Sequence, residues 1–310
     1  MRHAYLIIAH GKWQQLYFLL KQLDDANNDI FIHIDAKVKN PPLTELKNMV
    51  KYSSVEIIQE YKVYWGSLEL VKVEFLLLKM ALSGNYDYYH LLSGMDMLIK
   101  TKEEISEFFT ENKGKEFIHF DTDLRLKENK EFLRRVKCYH FFVNYRKRFN
   151  KFKFLNNVFT FFERISLSIQ TLFKVDRTKK YSETIKYGSQ WFSITNDFAK
   201  YVVGNENKVL KMFNKTKCSD ELFMQTLIYN SEFKNNLYDL NFDDNVEANV
   251  RLIDISNRGK NGSPYVWKTN DYEELKNTKC LFARKFDIAV DKQIVEKIYS
   301  ETNGQIKEGW

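Results

Sequence analysis

The stretch Asp87-Tyr88-Tyr89-His90-Leu91-Leu92-Ser93-Gly94-Met95-Asp96-Met97-Leu98-Ile99-Lys100-Thr101 decides the fold. Its opening apolar and aromatic run reads as a buried strand. Ser93-Gly94 ends the run with a turn pair that lets backbone approach a ligand closely. Asp96 follows at once, in a loop. Thr101-x-x-Glu104 is a capping box ahead of Ile105, Phe108 and Phe109, so a helix starts there. A buried strand thus delivers a carboxylate to its carboxyl end, where open α/β sheets bind ligands.

The chain before this stretch has the same grammar. Residues 4–9 read as a buried strand ending at His10-Gly11. A helix follows with Trp13, Leu16, Tyr17, Leu20 and Leu23 on one face, the 3.6-residue period. Residues 30–34 form a second strand, ending at Asp35. A strand, a helix and a strand in about thirty residues make a βαβ unit and therefore a parallel sheet. Asp35 lies at its carboxyl edge, where an acid either meets a ribose hydroxyl or base edge or simply caps a loop. Residues 55–58 give a third strand. Trp65-Gly66-Ser67 leads into a helix with Leu68, Val71, Phe75, Leu78 and Leu82 inward. The expected class is α/β, with a mostly parallel, Rossmann-like sheet flanked by helices.

The later chain continues the domain. Residues 117–120 read as a strand that leaves Asp121-Thr122-Asp123 exposed. Two acids one residue apart can chelate the divalent cation of a nucleotide sugar, or can be solvated loop acids. Residues 187–195 read as a strand entered through Gly188, and Thr195 caps a helix reaching Val203. Ser219 is read as the N-cap of a helix opened by Asp220-Glu221, where the helix dipole alone accounts for acids. Residues 250–254 form a late strand, and Gly262-Ser263-Pro264 a turn. Leu281-Phe282-Ala283-Arg284-Lys285-Phe286-Asp287 sets two cations in an aromatic frame.

Residues 139–180 differ in character: Tyr139, Phe141, Phe142, Tyr145, Phe149 and further phenylalanines alternate with Arg146, Lys147, Arg148, Lys151, Lys153 and Arg164. Such a basic aromatic insertion can be an amphipathic helical pair packed on the domain, a surface for an anionic bilayer, or a single-strand nucleic-acid binder. No RNA-binding motif accompanies it, so no nucleic-acid partner is expected.

Composition sets the frame. The 310 residues carry a net charge of +7, 44% hydrophobic residues, 11 glycines and three prolines. That suits one domain over residues 1–310 without a flexible linker, and a partner bearing phosphates. Cys138, Cys218 and Cys280 show no metal spacing and read as free thiols. The N-terminal apolar run is too short for a signal peptide, and no run is long enough to span a membrane. The expectation is a cytoplasmic protein.

A nucleotide-sugar transferase needs a base for the acceptor hydroxyl, positive charge for the departing diphosphate and a floor for the nucleoside. Glu221 can be the base, Arg251, Arg284 and Lys285 the cations, and His10 and Asp35 the floor. From spacing alone this is one arrangement among several. Six segments in order strengthen it: Phe31-Ile32-His33-Ile34-Asp35, Trp65-Gly66-Ser67, Ser93-Gly94-Met95-Asp96, Gly188-Ser189-Gln190-Trp191-Phe192, Ser219-Asp220-Glu221 and Phe282-Ala283-Arg284-Lys285-Phe286-Asp287. Through them the chain resembles the core-2/I-branching β-1,6-N-acetylglucosaminyltransferases, a family that includes the peptide O-xylosyltransferases.

The resemblance implies a GT-A-type fold and an inverting single displacement. It puts the catalytic base on Glu221 and the diphosphate cations on Arg251 and Lys285, beside Arg284. It implies no divalent metal and no other cofactor, with Ser93–Asp96 standing where metal-dependent relatives carry their D-x-D. Trp65, Ser93, Gly94, Asp96, Gly188, Trp191 and Asp220 fall in the donor and acceptor pocket, and Arg135 near an acceptor-contacting segment. Leu98 replaces a usual proline, and Ile255 stands where bacterial members often have Trp. The animal cysteines are not reproduced, and no Golgi anchor or stem is seen. These departures suggest a bacterial-type enzyme in the cytoplasm or peripheral on the inner face of the plasma membrane. Its partners would be a UDP-sugar, a glycan or lipid-linked glycan acceptor, and an anionic membrane surface through residues 139–180. N-acetylglucosamine is the first donor sugar, with UDP-xylose or UDP-glucose as the alternative. The competing class is a non-enzyme that binds nucleic acid or membrane.

Overall fold

The computed structural model describes residues 1–143, 145, 152–255, 258–259 and 263–303. Its frame is a six-stranded sheet of β1 (His3–Ala9), β2 (Asn28–Ile34), β3 (Ser54–Ile58), β4 (Tyr88–Ser93), β6 (Phe117–Ile118) and β7 (Phe192–Thr195), in the order β3-β2-β1-β4-β7-β6. The first four strands of that order are parallel, and β7 runs antiparallel to both β4 and β6. The expected α/β class is therefore the one observed.

Alternation along β1 explains how the sheet is covered. Ala4 and Leu6 face one side, where Val71, Phe75 and Leu78 of α3 (Glu69–Ala81) pack. Tyr5 and Ile7 face the other, against Leu16, Leu19, Leu20 and Leu23 of α1 (Trp13–Leu23). Successive strand side chains point to opposite faces, so a strand covered on both sides is apolar throughout. The same reasoning explains β4, every residue of which is buried.

Four elements differ from expectation. Asp96 is not in a loop: it begins β5 (Asp96–Leu98), which joins β8 (Arg251–Ile253) and β9 (Phe282–Arg284) in a second sheet of order β5-β9-β8. The turn at Ser93-Gly94-Met95 carries the chain from one sheet to the other. The 117–120 and 187–195 strands shorten to Phe117–Ile118 and Phe192–Thr195, because residues 187–191 leave the sheet. No helix begins at Ser219 either. Residues Ser219–Glu221 form one 3₁₀ turn, and the helix starts later, at Phe223–Tyr229. Ser219 makes no cap hydrogen bond, so a helix dipole does not account for Glu221.

The capping box at Thr101 and Glu104 forms as expected on α4 (Lys102–Glu111), and Thr195 caps the helix Asn196–Gly204. The insertion contributes one long helix, Lys153–Leu172. Arg146, Lys147, Arg148, Phe149, Lys151 and Gly262, named in the sequence reading, lie outside the described residues. Among the described residues no helix is long and apolar enough to cross a membrane.

Candidate active site

The carboxyl ends of β1, β2 and β4 supply His10, Asp35 and Ser93-Gly94 to one side of a cleft of about 510 Å³. Trp65, Trp191, Arg284 and Lys285 close it from the other sides. Its position is the crevice that parallel α/β sheets leave beyond their strand ends, and its size suits a small-molecule ligand. Eight of the residues singled out in the sequence therefore meet in one place.

Cross-strand pairing builds the cationic corner. Asp96 of β5 lies directly opposite Arg284 of β9 in the second sheet. The Arg284 Nη1 donates to Asp96 Oδ1 at 2.8 Å and also to the Ser93 hydroxyl. Asp96 in turn accepts from the Ser93 backbone N–H at 2.9 Å and the Ser93 hydroxyl at 2.6 Å. The Ser-Gly-x-Asp motif is thus a cradle for a guanidinium. The same guanidinium lies 4.8 Å from the Trp191 ring centroid, a cation–π distance. Asp96 is buried, so it orients Arg284 without reaching a ligand itself.

Lys285 follows on the rim. Among the described residues no hydrogen bond or ion pair holds its ammonium. Burial lowers its pKa, and the neighbouring Arg284 and Lys12 charges lower it further. Lys12 pairs with Asp287 at 2.8 Å, and Lys37 with Asp35 at 3.1 Å. Asp35 also accepts the Lys37 backbone N–H at 2.9 Å, so it does cap its loop while facing the cleft. A surplus of positive charge is therefore concentrated where a ligand enters. Burial lowers the pKa of the His10 imidazole, partly opposed by Asp35.

Arg251 has another fate. It is 2% exposed, and its guanidinium donates to the carbonyls of Asn249, Leu91 and Phe192 and to the Ser193 hydroxyl. Burial pushes its pKa down to about 9. The arginine joins β4 and β7 of the large sheet to β8 of the small one. It is not among the residues lining the cleft, where the diphosphate role expected for it would set it.

Glu221 stands on a wall reached through two segments that also line the cleft. Gly66 has φ +75°, the left-handed region that suits glycine, and its carbonyl accepts the Cys218 N–H at 2.9 Å. Gly188 donates its N–H to the Glu221 carbonyl at 3.0 Å, and a Cβ there would meet the His119 carbonyl oxygen at 2.0 Å. The two glycine motifs thus tie the Cys218–Glu221 turn to the segments that carry Trp65 and Trp191. Arg135, from the helix Lys130–Lys137, donates to Glu221 Oε2 at 3.1 Å, and the Tyr187 hydroxyl donates to the same carboxylate. Burial still raises the Glu221 pKa, though Arg135, Tyr187 and Lys217 pull it back. The outcome is a partly exposed carboxylate of raised basicity, the character a general base needs.

Beneath it lie two more acids. Asp220 is buried and pushed up to about 8 by burial and by the Glu221 charge. Glu74 is fully buried on α3, accepts from Gln190 Nε2 at 2.9 Å, and is raised well above its ordinary range by burial and by Asp220. Asp220 therefore sits behind the site rather than in it.

Asp121 and Asp123 part company. Asp121 pairs with Arg125 at 3.1 Å and accepts the Thr122 N–H, while Asp123 pairs with Lys186 at 2.6 Å. Each carboxylate is held by a different cation of the chain. Among the described residues, no group of three or more His, Cys, Asp or Glu is arranged to hold a metal ion.

Sequence reading missed Tyr187, Lys12, Lys37 and Glu74. Glu74 was detectable, since Val71, Glu74, Phe75 and Leu78 share the inward helix face and an acid there is buried. Tyr187 gave no local signal, because its partner is 34 positions later.

The site defines an α/β protein with a cation-rimmed cleft and, on a turn tied to two of its lining segments, a carboxylate of raised pKa. A family model described as Core-2/I-Branching enzyme matches residues 3–279, and the chain belongs to that glycosyltransferase family. It is similar to Xylosyltransferase 2 of Rattus norvegicus, 24% identical over 317 residues, which cover 96% of this chain and 33% of the relative. It is also similar to Xylosyltransferase of Ciona intestinalis, 20% identical over 332 residues, covering 100% and 35%. The chain thus spans about a third of the length of the curated relatives it matches. Among solved structures, apo mouse xyloside xylosyltransferase 1 aligns over 73% of this chain and 80% of its own, at 9% identity and a TM-score of 0.32.

Proposed function

We propose that this chain is an inverting, metal-independent glycosyltransferase of GT-A type that moves a sugar from a UDP-sugar to a hydroxyl of a glycan acceptor. The acceptor hydroxyl gives its proton to Glu221. Its oxygen attacks the anomeric carbon from the face opposite the leaving group. The bond from the anomeric carbon to the UDP oxygen breaks, and the electron pair leaves with the diphosphate. Lys285 and Arg284 meet that developing charge, a role in which a desolvated cation is worth far more than in water. The nucleoside lies toward His10 and Asp35. Arg251 has no part in this scheme beyond holding the two sheets together.

The observation that carries the reading is a cleft with a cationic corner at Arg284-Lys285, together with a raised carboxylate at Glu221 on a turn hydrogen-bonded to the Gly66 and Gly188 segments, whose neighbours Trp65 and Trp191 line that cleft. Metal independence is supported by Asp121 and Asp123 being paired with Arg125 and Lys186, and by Arg284 occupying the Ser93–Asp96 cradle. N-acetylglucosamine is the first sugar proposed and xylose the second, the latter favoured by the names of the curated relatives. The acceptor proposed is a lipid-linked or cell-surface glycan precursor on the cytoplasmic side of a membrane.

The test is a panel of UDP-N-acetylglucosamine, UDP-xylose and UDP-glucose, assayed with excess EDTA for UDP release and for transfer to simple glycosides. The expected result is one preferred donor, EDTA-resistant turnover, and a product of inverted anomeric configuration by NMR. Retained configuration contradicts the mechanism, and turnover restored only by Mn²⁺ contradicts the metal-free scheme.

A further inference from the structure

The helix Lys153–Leu172 is docked with its polar side inward. Glu163 and Gln170, seven residues apart and so on one face, are both buried. Glu163 hydrogen-bonds His140 Nδ1 at 2.7 Å and accepts the Phe142 N–H at 3.0 Å. Gln170 accepts the Tyr139 N–H at 2.7 Å and donates to the Tyr139 carbonyl at 2.9 Å. The opposite face is apolar and exposed. Phe154, Phe161, Ile165 and Leu172 recur at intervals of seven, four and seven, a single helical stripe, with Phe162 and Ile169 beside it. Phe154 and Leu172 are each 77% exposed and Phe161 60%. A helix that only covered its own domain would turn that stripe inward.

Charge identifies the occupant. Residues 139–180 hold ten Lys and Arg against two acids, a net of +8, and the remaining 38 cations and 39 acids leave −1. The whole positive charge of the chain is thus carried by the segment that presents the apolar stripe. A helix with an apolar face, flanking cations and insufficient length and hydropathy to span is the profile of one lying in the plane of an anionic bilayer. The aliphatic members, Ile165, Ile169 and Leu172, suit acyl chains and offer nothing to stacked bases.

We propose that Lys153–Leu172 is a membrane-docking helix that seats the protein on an anionic lipid surface. The segment is tied to the wall of the site. The His140 N–H donates to the Lys215 carbonyl at 2.7 Å, shortly before Cys218–Glu221, and the helix carrying Arg135 runs directly into Tyr139-His140. Docking therefore fixes the Glu221 wall relative to the membrane, which suits a lipid-linked acceptor. That last step rests on the transferase reading, whereas the docking itself does not.

The test is co-sedimentation of the full chain with phosphatidylcholine vesicles, with and without phosphatidylglycerol, at low and high salt. A companion variant, Phe161→Ser/Ile165→Ser/Leu172→Ser, alters only exposed positions. Each cation near an anionic surface is worth roughly a fivefold gain in partitioning, so binding to anionic vesicles should exceed binding to neutral ones by more than about tenfold. It should weaken with salt. The triple variant should stay in the supernatant while keeping the wild-type melting temperature and its shift with UDP. Failure of the wild type to sediment, or equal sedimentation of the variant, overturns the proposal. So does a wild-type dimer that the variant converts to monomer, which would make the stripe a contact between copies. Preference for single-stranded RNA over anionic vesicles overturns it as well. Vesicle binding without any UDP shift would leave docking standing and remove the transferase reading alone.

Discussion

The two sides of the site handle acidic and basic groups in opposite ways. On the cleft side every acid has a cation: Asp96 has Arg284, Asp287 has Lys12 and Asp35 has Lys37. Lys285 remains as surplus positive charge lining the cleft. On the wall side lie three acids, Glu74, Asp220 and Glu221, and among the described residues only Glu221 is ion-paired, with Arg135. Burial there raises all three carboxyl pKa values. The lesson is that proximity to the sheet edge does not set the role of a charged residue. Its local partners and burial do: acids paired with cations orient those cations, and buried acids short of cations carry raised carboxyl pKa values.

The comparison breaks most sharply at Glu221. Glu221→Gln removes the proton acceptor but keeps its shape and its ability to accept from Arg135. Transfer should fall by about 10²–10⁴-fold, the usual share of a general base, while calorimetric UDP affinity changes little. Near-normal turnover would leave the wall without a catalytic role.

Arg251 sharpens the contrast between a cation that holds the fold and one that meets the ligand. Arg251→Met keeps the volume but strands several buried carbonyls, and each unsatisfied polar group costs about 1–3 kcal/mol. Urea denaturation should show a loss of about 3 kcal/mol or more, with UDP affinity of the folded fraction unchanged. Lys285→Ala should do the reverse. Losing one charge-assisted contact of roughly 1.5–3 kcal/mol should weaken UDP binding by about 10–100-fold and leave the denaturation midpoint in place.

Asp220 gives the smallest effect and the clearest sign. Its folded carboxyl is pushed up to about 8 from an ordinary 3.8. The folded state therefore holds a proton that the unfolded chain releases, which favours folding below about pH 4. That advantage is lost as pH rises toward 8. Asp220→Asn abolishes the titration, so its melting temperature relative to wild type should rise between pH 5 and pH 8. A difference independent of pH would mean that Asp220 is ionised in the folded protein.

Much of this was legible in the sequence, and the limits have physical causes. β1, α1, β2, α3 and β4 followed from period and punctuation, because a strand covered on both faces and a one-sided helix each leave their own apolar pattern. The capping box at Thr101 was local and could be read directly. Asp96 reads as a loop residue in the sequence, because a three-residue strand in a second sheet has no periodicity to detect. Ser219 looked like an N-cap, but the chain makes a 3₁₀ turn there, held by Gly66 and Gly188 from distant segments. Arg251 and Arg284 are alike in type and both close to aromatic residues; only the tertiary path, which buries one and leaves the other against Trp191, separates them. The insertion was recognised by composition, yet its orientation, polar side in, depends on Glu163 and Gln170 finding His140 and Tyr139.

The most direct test of the central claim, that the cleft holds a nucleoside diphosphate through Lys285 and its neighbours without a metal, is calorimetric titration of UDP in excess EDTA into wild type, Lys285→Ala and Arg251→Met. The account predicts binding to wild type, binding to Arg251→Met of similar affinity, and a loss of about tenfold or more in Lys285→Ala. Absence of UDP binding to wild type in EDTA, or equal affinity of wild type and Lys285→Ala, would contradict it.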